Sequence, residues 1–410
     1  MNVLFITPKN PQSATSRYRC HHIAEALRLA QPGARVSVHA ITDARIELTS
    51  PDVVVLHRLR FGGEADRVLA AARQVGAVTV ASVDDLIFSP EYAYQVGLTA
   101  PPDDPTFYRY HRAEADDHLR TLAACDVVVA STEFLAAEVR LAVPGTPVTV
   151  LRNFLSARMA ALADVAHAAR TRRLALGGNA VTLAYLSGSP THDLDFAGIA
   201  PVLAGVLARH DEARLLLVGA VALPPALAGA ADAGRVLRHP FVAWQDLFGL
   251  TALADITLAP LDASRLFNHA KSEIKRLEAG AVGVPTVATA TAGVCETGGG
   301  VCCRNDAEWR DTLERLITGE GRVAGEAARS EIRATGTADT HAGAVAEAFA
   351  AWAAMKATSG GTATRARVMR PWRERAVEWL RNGEAAWVAR RLRFRRHNRL
   401  LEADLLKRGL

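Results

Sequence analysis

The residues best suited to chemistry lie in the stretch 267–289. Lys271, Lys275 and Glu278 are spaced so that they share one face of a helix. Two ammonium groups and a carboxylate near the start of a helix suit a nucleotide diphosphate. The cations and the helix N-terminus favour phosphates, and a carboxylate accepts hydrogen bonds from ribose hydroxyls. The alternative is an ordinary amphipathic helix whose charged face is solvated.

The same stretch contains the sequence signals of a helix and a strand that would hold these side chains in place. Apolar residues recur on a second helical face, which can pack on a sheet, namely Ile274, Leu277 and Ala281. Gly283 and Pro285 predict the end of the helix. The apolar residues 284–288 then predict a buried strand.

This pattern resembles the donor-binding segment of GT-B glycosyltransferases, more narrowly the retaining, family-4-like enzymes (glycosyl transferases group 1). In that family a Glu-x7-Glu element precedes a Gly-x-Pro-x-Val strand, and residues 277–285 match its second half. The first Glu would fall at Ala270, and Glu273 is out of register. The chain is closer to a subgroup with Asn-x-x-Lys-Ser-x-Ile-Lys-x-x-Glu, which here starts at Asn268 and includes Ser272.

The resemblance covers residues 181–309 well and residues 1–153 loosely. It implies two Rossmann-like domains that face a cleft, and transfer of a sugar from a nucleotide-diphosphate sugar to a hydroxyl acceptor. It further implies retention at the anomeric carbon and no required metal or cofactor. In this reading Lys271, Ser272 and Lys275 bind the donor's diphosphate and Glu278 binds its ribose.

Two strand ends of the first half supply further candidates. Arg17 and Arg19 follow the strand predicted at 3–7, where ligands bind in an open α/β sheet, so they can reach an acceptor or a phosphate. A solvated loop in which one arginine caps structure is equally compatible. Asp84 and Asp85 follow another strand. We expect one of these carboxylates to cap a helix and the other to face the cleft as a catalytic residue.

The first loop of the second half contributes the remaining donor-binding candidates, Gly188, Ser189 and His192. The resembled family has Gly-Arg-Leu here, and its cations hold the diphosphate. In this chain the lysines, hydroxyls and backbone N–H groups would bind the diphosphate instead. A plain turn in which Asp193 or Asp195 caps the next helix is the alternative.

Alternating strands and helices predict an α/β fold with two doubly wound, Rossmann-like domains and a basic helical tail. We place an acceptor-side domain at 1–174, a nucleotide-sugar-binding domain at 178–355, and the linker and tail at 356–410.

Composition narrows the class of protein. Half of the 410 residues are hydrophobic, yet no run of about 18 apolar residues predicts a membrane span. The N-terminus lacks the basic region and cleavage site of a signal peptide. Five cysteines without a regular framework fit a reducing cytoplasm, and we expect neither a disulfide framework nor a metal site.

The net charge of +5 is unevenly distributed, because the residues from Arg365 onward carry +9. The basicity therefore does not indicate that the body binds nucleic acid. Aromatic and aliphatic residues interleaved with arginines in the tail suit an anionic membrane surface, which would place the protein at the inner face of the membrane. Packing on the protein itself or on a partner is the alternative.

Two other functions are compatible with the sequence. One is another GT-B activity, such as a sugar-nucleotide epimerase. The other is a catalytically degenerate GT-B scaffold, which the missing first Glu and the missing Gly-Arg-Leu both suggest. For the main reading, we expect a nucleotide sugar and a glycan or lipid-linked acceptor as partners, in cell-surface polysaccharide or glycoconjugate synthesis.

Overall fold

The computed structural model describes residues 1–8, 10–43, 51–89, 105–188, 192–297 and 300–358, except for the side chains of 64, 105–110 and 356–358. The basic tail beyond 358 and the candidate Ser189 therefore lie outside the described residues.

The described residues form twelve strands. These are β1 (Asn2–Thr7), β2 (Arg35–Ala40), β3 (Val53–His57), β4 (Val78–Ser82), β5 (Val127–Ala130), β6 (Val148–Val150), β7 (Val181–Ser187), β8 (Ala213–Gly219), β9 (Val236–His239), β10 (Ile256–Ala259), β11 (Thr286–Thr289) and β12 (Val301–Cys303).

They also form fifteen α-helices, together with short π and 3-10 segments. The helices are α1 (Ala14–Ser16), α2 (Ile23–Ala30), α3 (Glu64–Gln74), α4 (Pro105–Ala124), α5 (Glu133–Ala142), α6 (Ala157–Ala175), α7 (Asp193–Arg209), α8 (Ala228–Asp232), α9 (Trp244–Thr251), α10 (Leu266–His269), α11 (Ile274–Val282), α12 (Ala292–Cys295), α13 (Asp306–Arg315), α14 (Gly321–Thr335) and α15 (Ala338–Thr358). None of the helices described is both long and apolar enough to cross a membrane.

The strands make two parallel six-stranded sheets, with the orders β2-β1-β3-β4-β5-β6 and β12-β11-β10-β7-β8-β9. Strands such as β3 and β4 are buried along their whole length because helices cover both faces, and this explains their unbroken apolar runs. The prediction of two doubly wound α/β domains is confirmed. Because all strand pairs are parallel, the carboxyl ends of each sheet meet at one edge, where loops position side chains.

Each domain packs against one helix from the other half of the chain. Helix α6 packs with second-domain elements, since Met159 and Ala163 share a buried cluster with Leu277 of α11. Helix α15 returns to the first sheet, where the rings of Phe349 and Phe5 are 5.9 Å apart. The predicted limits placed α6 in the first domain and α15 in the second, and their packing is the reverse. Hydrophobic periodicity shows that a helix face is buried, but not which domain buries it.

The cysteines differ from expectation. Cys295 and Cys302 form a disulfide, with 6.4 Å between their Cα atoms, whereas the cysteine pattern suggested a reducing environment without a disulfide framework. Cys295 ends α12 and Cys302 lies on β12, and sequence spacing alone does not reveal that the two approach each other. Cys20, Cys125 and Cys303 are buried free thiols.

Candidate functional site

The candidate residues of the second domain lie where the two domains touch. At least four polar contacts cross this junction, and each joins a side chain near the carboxyl edge of the first sheet to the segment 271–296. The pairs are Asp85–Lys271, Asn153–Ser272, Tyr18–Glu278 and Arg152–Glu296. Three of these contacts involve residues predicted to bind the donor.

Lys271 does not share a helical face with Lys275, so that part of the prediction is wrong. Helix α11 begins at Ile274, with Glu273 at its N-cap position. The short helix α10 and a turn precede it, and they direct Lys271 toward the first domain. The Nζ atom of Lys271 lies 3.1 Å from Oδ1 of Asp85.

Asp84 and Asp85 form a charge cluster around Arg58, which follows β3. The guanidinium donates from Nε to Oδ1 of Asp84 and from Nη2 to Oδ2 of Asp85. Arg58 has φ of +48°, unusual for a residue other than glycine. The described residues 86–89 form a turn, not a helix. The helix-capping role predicted for one Asp is therefore replaced by pairing of both carboxylates with Arg58.

Burial and charge oppose each other in this cluster. Burial would lower the pKa of Arg58, but the carboxylates of Asp84 and Asp85 raise the pKa above its ordinary value. Burial would likewise raise the pKa of Asp85, yet Lys271 and Arg58 hold that pKa below its ordinary value. Asp85 is therefore an anion held between two cations, one from each domain.

Lys275 lies on α11 beside the end of β7. Its ammonium group donates to the backbone oxygen of Leu186 and lies 4.9 Å from the ring centre of Tyr185. Burial lowers the pKa of Lys275 to about 8, although Glu278 and Asp195 act in the opposite direction. A buried ammonium that has lost most of its water responds strongly to an anion placed against it.

Glu278 also lies on α11, one turn from Lys275, as the spacing predicts. Its Oε1 accepts a hydrogen bond of 2.8 Å from the hydroxyl of Tyr18 in the first domain. Burial raises the pKa of Glu278, while Tyr18 and Lys275 favour its charged form. Burial, and then Glu278, also raises the pKa of Tyr18 well above its ordinary value. The carboxylate is thus half-buried, hydrogen-bonded to the first domain and located at the domain junction.

Ser272 is bound from the first domain through a short chain of polar contacts. Its hydroxyl accepts from Nδ2 of Asn153 at 2.7 Å, and Oδ1 of Asn153 accepts from Nη1 of Arg19 at 3.1 Å. The same Nη1 donates to the backbone oxygen of Leu151 at 2.5 Å. Arg19 is fully buried, and burial lowers its pKa to about 10. This supporting position replaces the acceptor or phosphate contact predicted for Arg19.

Arg17 is half-buried at the junction, with its guanidinium 4.9 Å from the ring centre of Trp244. Burial lowers the pKa of Arg17, and its interactions with Tyr18 and Glu278 act in the opposite direction. The structure therefore places Arg17 near Glu278 and the second domain, whereas Arg19 points into the first domain.

His192 precedes α7, and its Nδ1 lies 2.9 Å from Oδ2 of Asp195. The other oxygen of Asp195 accepts from Nδ2 of Asn268 at 3.1 Å and from the backbone N–H of Asp262 at 2.8 Å. Asp195 thus joins the start of α7 to the loop after β10 and to α10, and it also acts on the pKa of Lys275. His192 and Lys275 therefore belong to one neighbourhood.

Gly188 lies just past the end of β7, as predicted. A Cβ atom there would meet the ring of Phe241 at 3.5 Å, an ordinary contact distance. Packing alone therefore does not require glycine at this position. Within the described part of the chain, no group of three or more His, Cys, Asp or Glu side chains is arranged to hold a metal ion.

The sequence analysis did not identify several residues of the site. Arg58, Tyr18 and Asn153 follow strand ends, which is the available signal, but nothing in the sequence identifies their partners. Glu296 was missed as well. It accepts from Nη1 of Arg152 at 2.6 Å and from the backbone N–H of Glu133 at 2.7 Å, so it joins the second domain to the start of α5.

Comparison with known proteins identifies the fold. Residues 197–319 match the family model of Glycosyl transferases group 1. Anabaena HepE in complex with UDP is 14% identical with a TM-score of 0.59, covering 86% of this chain and 100% of that one. The chain has the GT-B fold.

Two other GT-B structures give the same result. A glycosyltransferase from Rickettsia africae is 13% identical with a TM-score of 0.58, covering 86% of this chain and 98% of that one. WaaG, a glycosyltransferase involved in lipopolysaccharide biosynthesis, is 14% identical with a TM-score of 0.54, covering 88% and 100%. None of the curated proteins compared with the chain matches it. The match at 197–319 includes Lys271, Lys275 and Glu278, so it contains the second-domain half of the site.

Proposed function

We propose that this GT-B chain is a glycosyltransferase that moves a sugar from a nucleotide-diphosphate donor to a hydroxyl acceptor. One observation carries the proposal: Lys271 and Glu278 contact the first domain across the junction, and Lys275 lies beside them at the end of β7. The family match across 197–319 supports it, because that segment contains all three residues.

The chemistry of the proposed site is charge stabilisation. When the bond between the sugar and the diphosphate breaks, negative charge develops on the diphosphate, and fixed cations in a dry site stabilise it. Lys271 and Lys275 supply those cations. Glu278 accepts hydrogen bonds from the ribose hydroxyls, with Tyr18 as its partner when no ligand is bound.

The remaining candidates take supporting roles in the proposal. Gly188 and His192, near the end of β7, border the donor's phosphates or sugar, and Ser189 is assigned the same role from its place in the sequence. Asp84 or Asp85 meets the sugar or the acceptor hydroxyl from the first domain. Arg17, whose pKa responds to Glu278, is assigned a contact with the donor or with an acceptor phosphate.

UDP is the first nucleotide to test, because Anabaena HepE has been solved in complex with UDP and with UDP-glucose.

Retention at the anomeric carbon and independence from metal are proposed from the resemblance of 267–289 to family-4-like enzymes. The basic tail motivates a glycan or lipid-linked acceptor at an anionic membrane surface, in cell-surface polysaccharide or glycoconjugate synthesis.

The test is a thermal-stabilisation screen of sugar nucleotides with the full chain, since a ligand that binds only the folded state raises its apparent stability. We expect at least one sugar nucleotide to raise the melting temperature, and Lys271→Ala to abolish the increase. Arg304→Ala is the matched control, because Arg304 is an exposed cation of the same domain, with 81% of its side chain accessible. The control should respond as the wild type does.

The outcomes separate the candidate functions. Stabilisation by no nucleotide supports the degenerate scaffold and contradicts the proposal. Conversion of a sugar nucleotide into a free epimer without any acceptor supports the epimerase. Stabilisation that survives in Lys271→Ala at the wild-type level contradicts the site assignment.

A further inference from the structure

Lys271, the cation proposed to bind the donor's diphosphate, already forms an ion pair with Asp85 of the protein itself. Nζ of Lys271 and Oδ1 of Asp85 are 3.1 Å apart across the domain junction, with 24% and 16% of their side chains exposed. The pair is largely shielded from water, so its attraction is stronger than that of a solvated surface pair. Any diphosphate that binds Lys271 must share it with Asp85 or displace Asp85.

Sharing is unfavourable because of where Asp85 is anchored. Arg58 holds Oδ2 of Asp85 and Oδ1 of Asp84, so both carboxylates remain in place when Lys271 moves. A diphosphate against Lys271 would then lie beside two fixed carboxylates, and like charges in a poorly hydrated junction repel strongly. The energetically favourable outcome is exchange: Lys271 turns to the diphosphate and Asp85 keeps Arg58.

We propose that Asp85 competes with the donor's diphosphate for Lys271, and that donor binding releases Asp85 to accept a hydrogen bond from the acceptor hydroxyl. This inference rests on the proposed glycosyltransferase function. It assigns Asp85 a role before and after the donor arrives, and it makes Arg58 the positioning residue that keeps Asp85 at the junction.

The pair Asp84 and Asp85 provides a matched comparison. Both carboxylates bind Arg58, and Asp85 also meets Lys271. Replacing either by asparagine removes one negative charge at nearly the same volume. A general charge effect on an anionic ligand would be similar in the two variants, whereas competition for Lys271 is specific to Asp85→Asn.

The experiment is calorimetric titration of UDP, with GDP as a second probe, into the full chain. We expect Asp85→Asn to bind the nucleotide about fivefold more tightly than the wild type, a typical coupling between linked sites. Asp84→Asn should give a smaller gain, because it removes a nearby charge but not the contact with Lys271, and equal gains in the two variants would contradict the competition. In a Lys271→Ala background, the gain from Asp85→Asn should vanish, because the cation for which Asp85 competes is gone.

The results distinguish this inference from the function on which it rests. If the wild type binds UDP or GDP but Asp85→Asn binds it equally or more weakly, the competition is contradicted and the proposed function stands. If no nucleoside diphosphate binds the wild type, both are contradicted. Should Asp85→Asn fail to fold, Asp85→Ser serves as the second variant and is judged by the same comparison.

Discussion

Tyr18 and Glu278 join the two domains through one hydrogen bond, 2.8 Å from the phenolic oxygen to Oε1. Tyr18 lies in the π-helical segment that precedes α2, and Glu278 lies on α11. The first domain therefore touches the carboxylate that we assign to the donor's ribose. A ligand at Glu278 must share this carboxylate with Tyr18 or replace it, so the bond links domain contact to donor binding.

Removing the Tyr18 hydroxyl should weaken the folded state. Tyr18→Phe leaves a largely buried carboxylate without its partner, and we expect the free energy of unfolding to fall by about 1–2 kcal/mol in urea. Tyr185→Phe is the control, because the Tyr185 hydroxyl donates a longer bond of 3.4 Å to the backbone oxygen of His192. Equal losses in both variants would contradict a special role for the Tyr18–Glu278 bond.

The buried ammonium of Lys275 should make stability depend on pH. Its pKa is about 8 in the folded chain and near its ordinary 10.5 when unfolded, so the unfolded chain binds more protons between these values. The cost of burying the charge is full below pH 8 and vanishes above 10.5. Relative to Lys275→Met, the wild type should therefore gain stability as pH rises through this window, by up to about 3 kcal/mol. A constant difference would contradict the lowered pKa.

Nucleotide affinity should change in the opposite direction. As pH rises from 7 through 9, Lys275 loses its proton and with it the attraction for a diphosphate, so the Kd for UDP should increase in the wild type. In Lys275→Met the Kd should be higher at pH 7 and nearly independent of pH over this range. A wild-type Kd that does not vary between pH 7 and 9 would show that Lys275 does not bind the phosphates.

Arg58 should be important for stability as well as for position. Arg58→Gln leaves the partly buried Asp84 without its cation and Asp85 with Lys271 alone, and we expect a loss of about 3 kcal/mol on urea unfolding. Arg304→Gln is the control. It removes an exposed arginine whose contact with Glu308 is 3.7 Å, and such pairs contribute less than about 1 kcal/mol. A loss as small as that of the control would show that Arg58 does not support Asp84 and Asp85.

The disulfide between Cys295 and Cys302 can be counted directly. In denaturant without reductant, three thiols should react, from Cys20, Cys125 and Cys303, and all five should react after reduction. Cys302→Ser should lower the free energy of unfolding by about 2 kcal/mol, as expected for a short closed loop. Five reactive thiols in the unreduced protein would contradict the disulfide.

Local pattern was sufficient to predict most of the architecture. Buried strands such as β3 and β4 are continuous apolar runs, and Gly283, which caps α11 at φ of +80°, ends that helix as the sequence predicts. The position of Glu278 on α11 followed from the same pattern. These features depend on residues close together in the chain.

Features that depend on distant residues were not predictable. The charge of Arg19 suggested a ligand contact, but its guanidinium reaches Leu151 and Asn153, which come from another strand end. Lys271 was placed on α11 because spacing alone does not show that the helix starts three residues later, at Ile274. The pairing of Arg58 with Asp84 and Asp85 requires the register of β3 beside β4, which no single-sequence pattern specifies.

The central claim is that Lys271 and Lys275 hold a nucleoside diphosphate at the junction of the two domains. Calorimetric titration of UDP and GDP at pH 7 into the wild type, Lys271→Ala and Lys275→Met tests it most directly. We predict that the wild type binds at least one of them, and that each variant binds it about tenfold or more weakly, as expected for loss of one charged contact. Undiminished binding in both variants, or no binding by the wild type, would contradict the claim.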